Sequence, residues 1–213
     1  MIISANRGKW IAVVMVSVCA VAGRAQDMKG RTWNFDGDKV GEIAKGFTND
    51  VGQWQVVADD TAPSKPHVLA QQAKSEKQLY NVALIADTNF KNVDLSVKFR
   101  AVAGALDQGG GVVWRAKDAQ NYYICRYNPL EENFRVYKVE AGKRKELGSA
   151  NIPATPGWHT LRVVMTGDKF EGYLDGKKDL EMSDATIAGP GRIGLWTKAD
   201  AQTHFDDLTV SGD

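Results

Sequence analysis

Histidines and acidic side chains are the residues of this sequence whose types could carry acid–base chemistry. His67, His159 and His204 form no HExxH pattern, and the cysteines are not paired, so no zinc site is expected. His204 stands apart because it begins a strand-like segment in which Asp206 and Asp207 follow. An imidazole near carboxylates can act as a general base. We therefore take His204 as a catalytic candidate, with a solvated histidine at a strand edge as the alternative.

Two acids are further candidates for proton transfer. Glu132 directly follows Glu131 in a predicted loop after Pro129, and adjacent residues of an extended chain point to opposite sides. Asp206 lies two residues beyond His204. We name Glu132 and Asp206 beside His204 as catalytic candidates.

Acids that lie early and late in the sequence suggest a different role. Asp36 and Asp38 lie early and Asp206 and Asp207 lie late, so a fold that sets its first and last strands side by side would bring these acids together. Carboxylates and carbonyl oxygens are the ligands of Ca²⁺, which takes six to eight of them. A structural Ca²⁺ stays open beside simple turn and solubility roles, and we predict no metal-binding residue and no cofactor.

Arginines, an amide and aromatic rings make a second set, suited to binding. Guanidinium groups hydrogen-bond pairs of hydroxyls or a carboxylate, and flat aromatic rings stack on the C–H faces of sugars. The candidates for substrate binding are Arg115, Tyr122, Arg126, Asn128 and Trp196. The alternatives are ion pairs with Glu132 or Glu171 for the arginines and a place in the core for the tryptophan.

Strands must position these side chains. From Thr32 onward no long helical period occurs, and short runs rich in β-branched and aromatic residues recur between turn residues. Ten runs qualify as strands: Gln53 to Val57, Leu79 to Ile85, Val93 to Ala101, Gly111 to Arg115, Tyr122 to Asn128, Phe134 to Glu140, Trp158 to Thr166, Lys169 to Leu174, Gly191 to Thr197 and His204 to Val210.

Turn sequences pair neighbouring runs as hairpins. Asp175-Gly176 is a dipeptide that tolerates the positive φ values of a tight turn, and it leads into a short strand near Lys178 to Glu181. Ala141-Gly142 similarly leads into Lys145 to Ala150. No linker or repeat interrupts the pattern, so one antiparallel domain is predicted.

Alternation within the strands assigns side chains to faces. Leu161, Val163 and Met165 form a core row, and Trp114 shares a core row with Val112. Three outward rows carry the binding candidates: Tyr122, Ile124, Arg126 and Asn128 in one, Val113 and Arg115 in the next, Arg192, Gly194 and Trp196 in the third. We expect Arg115, Arg126, Trp196 and His204 to project into one groove.

Composition limits the classes of function. The 213 residues include 27 Lys and Arg against 26 Asp and Glu, a net charge of +1, so nothing favours a nucleic-acid partner. The hydrophobic fraction of 43% is typical of a folded domain rather than a disordered chain.

The first 25 residues resemble an export signal. Arg7 and Lys9 precede an uncharged run from Trp10 to Ala22, which is too short to span a bilayer, and small residues allow cleavage after Ala22 or Ala25. We predict a signal peptide over 1–25, a mature domain over 26–213, a secreted or periplasmic location and no membrane span after cleavage. Cys125 then has no partner and is expected to be a buried thiol.

Three segments carry a resemblance to a known family: NYYICRYNPLEENFRVYKVEAGKRKELGSA, GWHTLRVVMTGDKFEGYLDGKKDLE and GRIGLWTKADAQTHFDDLTV. They resemble secreted bacterial domains of the concanavalin A-like lectin/glucanase superfamily, especially the 3-keto-disaccharide hydrolase domains that are loosely labelled family 16 glycoside hydrolase. The resemblance implies an all-β fold, a two-sheet antiparallel jelly-roll sandwich, with a carbohydrate partner.

The retaining glucanases of that superfamily carry Glu-x-Asp-x-x-Glu or Glu-x-Asp-x-Glu on one strand, and this sequence has neither. Asp179 and Glu181 have a suitable spacing but lack a third acid. A conventional retaining glucanase is therefore not expected. We predict a domain that binds a saccharide on its concave sheet. One alternative is a hydrolase or lyase of 3-keto-glycosides, whose ketone acidifies the neighbouring C–H, and another is an adhesive module that binds no sugar.

Overall fold

The computed structural model describes Met1 and residues 30–213, so the predicted signal peptide and its cleavage site lie outside the described residues. The described chain is all β. Its strands are β1 (Arg31–Trp33), β2 (Phe47–Val51), β3 (Trp54–Ala58), β4 (His67–Gln71), β5 (Tyr80–Ile85), β6 (Val93–Ala103), β7 (Gly110–Asp118), β8 (Asn121–Asn128), β9 (Asn133–Glu140), β10 (Lys143–Asn151), β11 (His159–Thr166), β12 (Lys169–Leu174), β13 (Lys177–Ser183), β14 (Arg192–Lys198) and β15 (Gln202–Gly212). Over these residues no helix has the length and apolar character needed to cross a bilayer.

Two antiparallel sheets make the sandwich, as predicted. The eight-stranded sheet runs β13-β12-β11-β6-β15-β4-β3, with β1 paired to β15. The seven-stranded sheet runs β10-β9-β8-β7-β14-β5-β2. The ten predicted strands and the two short hairpin partners, β10 and β13, are confirmed, whereas β1, β2 and β4 were not predicted.

The predicted turns form because their residues accept left-handed backbone. Asp175 and Gly176 have φ values of 50° and 82°, and Ala141 and Gly142 have 48° and 75°. Two consecutive positive φ values match the twist of a two-residue hairpin. Each turn therefore joins strands that are neighbours in their sheet, β12 to β13 and β9 to β10.

The main core lies between the sheets. Leu161, Val163 and Met165 are fully buried there, and Trp114 stacks on Tyr123 at 5.5 Å between ring centroids. The predicted core rows are thus confirmed. Burial of this apolar surface is the principal driving force for folding.

A second, smaller hydrophobic cluster covers the outer face of the seven-stranded sheet. Its buried members are Val82, Leu84, Val113, Ala116, Tyr122, Ile124, Tyr137, Val139 and Trp196. Strand pairing brings them side by side, because Val113 lies opposite both Ile124 and Gly194. The residues predicted to face outward on β8 and β14 do so, but they are not exposed.

Candidate functional site

The outer face of the seven-stranded sheet gathers four of the five predicted binding residues. Tyr122, Arg126 and Asn128 follow one another on the outward row of β8, and Trp196 lies opposite Gly111, which itself lies opposite Arg126. Each of the four is at most 2% exposed. Their role as sugar contacts stays a prediction, and the structure gives each of them a protein partner.

Trp196 is packed within this face. Its indole nitrogen donates a hydrogen bond to the Tyr122 hydroxyl at 3.1 Å, and its ring lies 5.6 Å from that of Tyr80. Burial of Tyr122 raises the pKa of its hydroxyl far above the usual value, so it stays neutral. The expectation of an open tryptophan platform is therefore not met.

Arg115 lies away from this face, which corrects the expected common groove. Its φ of 48° marks a bulge, and the pairing register of β7 shifts on both sides of this position. A bulge breaks the alternation of side chains and re-aims the residue it holds. The guanidinium donates to the carbonyl oxygens of Lys91, Ile187 and Gly167 at 2.7, 2.9 and 2.5 Å, so it ties loops together.

His204 lies on the other sheet, which is a second correction to the expected groove. Its Nδ1 is 2.7 Å from an oxygen of Asp59, a residue that the sequence analysis did not select. Arg100 donates to the same oxygen at 2.7 Å, and Thr61 binds the other oxygen. Burial acts to raise the pKa of Asp59, but the hydrogen bonds from His204 and Thr61 and the charge of Arg100 outweigh it and lower the pKa to about 2.

Asp206 is fully buried and holds a loop. Its carboxylate accepts hydrogen bonds from the amide and hydroxyl of Ser64, at 2.7 and 2.8 Å, and from the Asp207 amide. Burial raises its pKa. Asp207 pairs with Lys98, and Asp36 accepts from the His67 amide and from Asn34, so three of the four acids considered for Ca²⁺, Asp206 included, have separate protein partners. Over residues 30–213 no group of three or more His, Cys, Asp or Glu side chains is placed to hold a metal ion.

Glu132 lies in a cleft at one end of the sandwich, which we call the end cleft. Its walls are the β8–β9 turn, the β10–β11 loop, the loop before β7 and Ala101 of β6, and its volume is about 620 Å³. Its polar lining residues are Gln108, Glu131, Glu132, Thr155 and His159. Glu132 has a φ of 50°, and its backbone oxygen accepts a hydrogen bond from Ile152, which fixes the turn against the loop.

His159 is held from both sides. Its Nδ1 lies 2.8 Å from an Asp175 carboxylate oxygen and its Nε2 lies 3.0 Å from the Thr155 carbonyl oxygen. The ring also packs against Phe99 and Tyr127. These contacts give His159 a structural role, at the start of β11.

A buried polar network supports Glu131 from behind. Arg126 donates to Glu131 at 2.8 Å and to the side chain of Asn133, and Asn128 accepts a hydrogen bond from the Glu131 amide. Burial acts to raise the pKa of Glu131, but the charge and hydrogen bond of Arg126 outweigh it and lower the pKa. Glu131 therefore presents an ionised carboxylate at the cleft.

The same network contains a buried ion pair that sequence reasoning missed. Asp107 accepts from Asn128 at 2.9 Å and from the Lys198 ammonium at 3.0 Å, and burial raises its pKa. Asp200 fixes the loop that carries it, by accepting hydrogen bonds from the amides of residues 105, 106 and 107. Only the strand register shows that Asp107 and Lys198 meet, because 91 residues separate them.

The fold and this site define an all-β sandwich of the jelly-roll kind with a polar cleft at one end. Residues 30–211 match the model of the 3-keto-alpha-glucoside-1,2-lyase-like domain. The chain belongs to that family, which confirms the resemblance found in the sequence. A comparison with curated protein sequences gives no match.

Several solved structures share the fold. The carbohydrate-binding module CBM66 from Bacillus subtilis is 19% identical with a TM-score of 0.66, over 78% of this chain and 96% of that one. A putative glycosyl hydrolase from Parabacteroides distasonis is 16% identical with a TM-score of 0.54, over 86% and 100%. A galectin-like protein of unknown function from Bacillus subtilis is 13% identical with a TM-score of 0.61, over 78% and 89%.

Proposed function

We propose that the protein binds a saccharide in the end cleft. The observation that carries the proposal is a polar cleft of about 620 Å³ in which the Glu131 carboxylate is fixed by buried partners. That volume lies within the range of small-molecule sites. Carboxylate and amide groups exchange hydrogen bonds with sugar hydroxyls, and Glu131, Glu132 and Gln108 supply them.

Arg126 and Asn128 pre-organise the Glu131 carboxylate for binding. Both are buried, and both hold Glu131 through hydrogen bonds of 2.8 and 3.0 Å. A binding group whose geometry is fixed before the ligand arrives loses less entropy on binding. Arg126 and Asn128 are thus positioning residues for the cleft. Family membership and the shared fold of CBM66 support a carbohydrate as the ligand.

Calorimetry with sugars selected on a glycan array tests this proposal. We expect Glu131→Gln and Glu132→Gln each to weaken binding about tenfold, since a hydrogen bond to a charged group contributes about 1.5–3 kcal/mol. Glu76→Gln is the matched control, because Glu76 is exposed and does not line the end cleft. Unchanged affinity in both cleft variants, or a loss of affinity equal to that of the control, would refute the cleft as the binding site.

Elimination from a 3-keto-glycoside is the second candidate function, favoured by the family match. A base would remove the proton from C2, which the 3-keto group acidifies. The electron pair would form the C1–C2 double bond, and the C1–O bond would break as the leaving oxygen takes a proton. Glu132 is the base that the end cleft offers, because the Glu131 carboxylate is engaged by Arg126 and Asp206 is fully buried.

His204 is the competing base. Asp59 engages its Nδ1, and Nε2 has no hydrogen-bond partner among residues 30–213, which is the arrangement of an oriented imidazole. Turnover of a 3-keto-disaccharide by Glu132→Gln and His204→Ala separates the two. We expect Glu132→Gln to lose about 10²–10⁴-fold in kcat and His204→Ala to stay near the unmodified rate. A large loss of kcat in His204→Ala with little change in Glu132→Gln would assign the chemistry to His204 on the eight-stranded sheet. No turnover by the unmodified protein would refute the elimination and keep only saccharide binding as the proposed function.

A further inference from the structure

The loop between β10 and β11 forms one wall of the end cleft, and His159 fastens it. Residues 154–157 of this loop line the cleft. Nε2 of His159 lies 3.0 Å from the carbonyl oxygen of Thr155, within this wall. The imidazole is buried and packs against Phe99 and Tyr127, so the wall is tied to the core beneath it.

The other short hydrogen bonds of this loop hold its beginning. The Ile152 amide donates to a backbone oxygen of the β8–β9 turn at 2.9 Å, and the Tyr127 hydroxyl donates to the Pro153 carbonyl at 3.0 Å. The shortest hydrogen bond that the described structure gives to residues 154–157 is the one to His159. Loss of that bond would therefore free the part of the loop that lines the cleft.

Both ring nitrogens of His159 face hydrogen-bond acceptors. Nδ1 lies 2.8 Å from a carboxylate oxygen of Asp175, on the turn between β12 and β13, and Nε2 faces the Thr155 carbonyl. A neutral imidazole has only one N–H, so the two bonds form together only in the doubly protonated ring. The Thr155 hydroxyl lies 3.5 Å from Nε2, too far to replace the carbonyl bond. Because the carboxylate is the stronger acceptor, loss of one proton breaks the bond to the wall.

The elements packed around the ring carry few other titratable groups. Asp175 is the one on the β12–β13 turn, and the Tyr127 hydroxyl on β8 donates to a loop carbonyl. Strand β6 contributes Phe99, which does not titrate, and Glu131 and Glu132 line the same cleft. Of these kinds of side chain, histidine is the one that ordinarily changes charge between about pH 5 and 8.

We propose that His159 is a positioning residue for the end cleft, whose doubly protonated ring fastens the wall before a saccharide binds. The inference rests on the proposed function, because the saccharide is the one that the end cleft binds. A wall that has to be ordered on binding lowers the affinity. Affinity should therefore fall as the pH rises and the ring loses a proton.

Two isosteric substitutions separate the two hydrogen bonds of the ring. The amide nitrogen of glutamine takes the place of Nε2 and that of asparagine the place of Nδ1. His159→Gln therefore keeps a donor for Thr155, and His159→Asn keeps one for Asp175. Both variants lose the packing on Phe99 and Tyr127, so each is the matched control of the other for stability.

Calorimetry with the saccharide that binds most tightly on the glycan array gives the first comparison. At about pH 5.5 we expect His159→Gln to stay within about threefold of the unmodified protein and His159→Asn to bind about tenfold more weakly, since it loses the bond to the wall. Between about pH 5.5 and about pH 7.5 the affinity of the unmodified protein should fall about fivefold. The affinity of His159→Gln should change less, because an amide does not titrate.

NMR order parameters of the ligand-free protein test whether the wall itself responds. Those of the Ala154, Thr155 and Gly157 amides should be lower in His159→Asn than in His159→Gln, and they should fall in the unmodified protein as the pH rises. Equal order parameters, equal affinities in the two variants, or a pH dependence that survives in His159→Gln would overturn this inference alone. Absence of saccharide binding by the unmodified protein would refute the proposed function as well.

Discussion

The outer faces of the two sheets differ in how they meet solvent. On the eight-stranded sheet, β6 alternates between buried and half-buried residues from Val93 to Arg100, and β11 does so from His159 to Val164. On the seven-stranded sheet, β8 and β14 are buried at every position but the first. A sheet with one solvated face shows the first pattern, and a sheet covered on both faces shows the second. The end cleft adjoins the seven-stranded sheet, whose central strands are buried on both faces.

The kind of polar contact changes with the face. Arg162 and Asp94 form a two-pronged salt bridge on the eight-stranded sheet with about two fifths of each side chain exposed, at 42% and 39%. Lys198 and Asp107 form theirs beside the seven-stranded sheet at 11% and 4% exposure. Exposed pairs contribute little to stability, while a buried pair is costly to break. Equivalent substitutions on the two faces should therefore differ in effect.

Removal of an aromatic ring should show the largest difference. Trp196→Ala should lower the free energy of unfolding by about 3–5 kcal/mol, because it empties the centre of the second hydrophobic cluster. Tyr173→Ala on the eight-stranded sheet, whose ring is half-buried beside Arg162, should cost less than about 1 kcal/mol. Urea unfolding of both variants measures the difference, and equal losses would contradict the two-sided burial.

Breaking an ion pair should show the next difference. Asp107→Asn should cost about 3 kcal/mol, since it leaves the Lys198 charge buried without its counterion. Asp94→Asn should cost no more than about 1 kcal/mol. The double variant Asp107→Asn with Lys198→Met should recover much of the loss in the same urea assay. A double variant as unstable as the sum of two separate losses would show that the pair is not coupled.

Hydrogen bonds donated by the indole nitrogens of Trp196 and Trp158 provide a smaller contrast. Tyr122→Phe removes the acceptor of the buried Trp196 nitrogen and should cost about 1–3 kcal/mol. Thr61→Val removes the acceptor of the exposed Trp158 nitrogen, where water can replace it, and also the hydroxyl that donates to Asp59. Made in an Asp59→Ala background, where that second hydrogen bond is absent, Thr61→Val should cost less than about 1 kcal/mol. Thermal unfolding of the two variants gives the ranking, and a larger loss for Thr61→Val would reverse the comparison.

Acid titration should separate the faces by the sign of the effect. The pKa of Asp59 is about 2 in the folded protein, so its stabilisation is present above the unfolded pKa near 3.8 and is lost as pH falls toward 2. The pKa of Asp107 is raised, so its contribution becomes more favourable as pH falls through that raised value. In unfolding experiments from pH 5 to 2, Asp59→Asn should flatten the loss of stability and Asp107→Asn should steepen it. Parallel slopes in the two variants would contradict these shifts.

The sequence predicted those parts of the fold that depend on local pattern. Alternation placed Leu161 and Trp114 in the core and Trp196 on the opposite face, because side chains of a strand alternate over its whole length. Asp175-Gly176 predicted its hairpin through backbone preference alone. Strand β4 was missed because residues 67–71, HVLAQ, are short and carry no alternation of apolar with polar residues.

The candidate site was less predictable because it depends on register and on one bulge. Arg115 was expected to share the outward row of Val113. Its own backbone is left-handed, however, and this turns its side chain toward the loops. The partner of His204 is Asp59, which lies 145 residues away in sequence and reaches it only through the arrangement of strands. Glu132 was placed in a loop by Pro129 and does lie in a turn, yet only the folded chain shows that this turn borders a cleft.

Cys125 makes the core accessible to chemical measurement. It is fully buried between the sheets, and burial raises the pKa of its thiol, so both access and thiolate formation are suppressed in the native state. In a chain that begins after Ala25 it is the only cysteine. The rate at which a thiol reagent modifies such a chain then reports how often the two sheets separate, which gives each substitution discussed above a native-state opening frequency without denaturant.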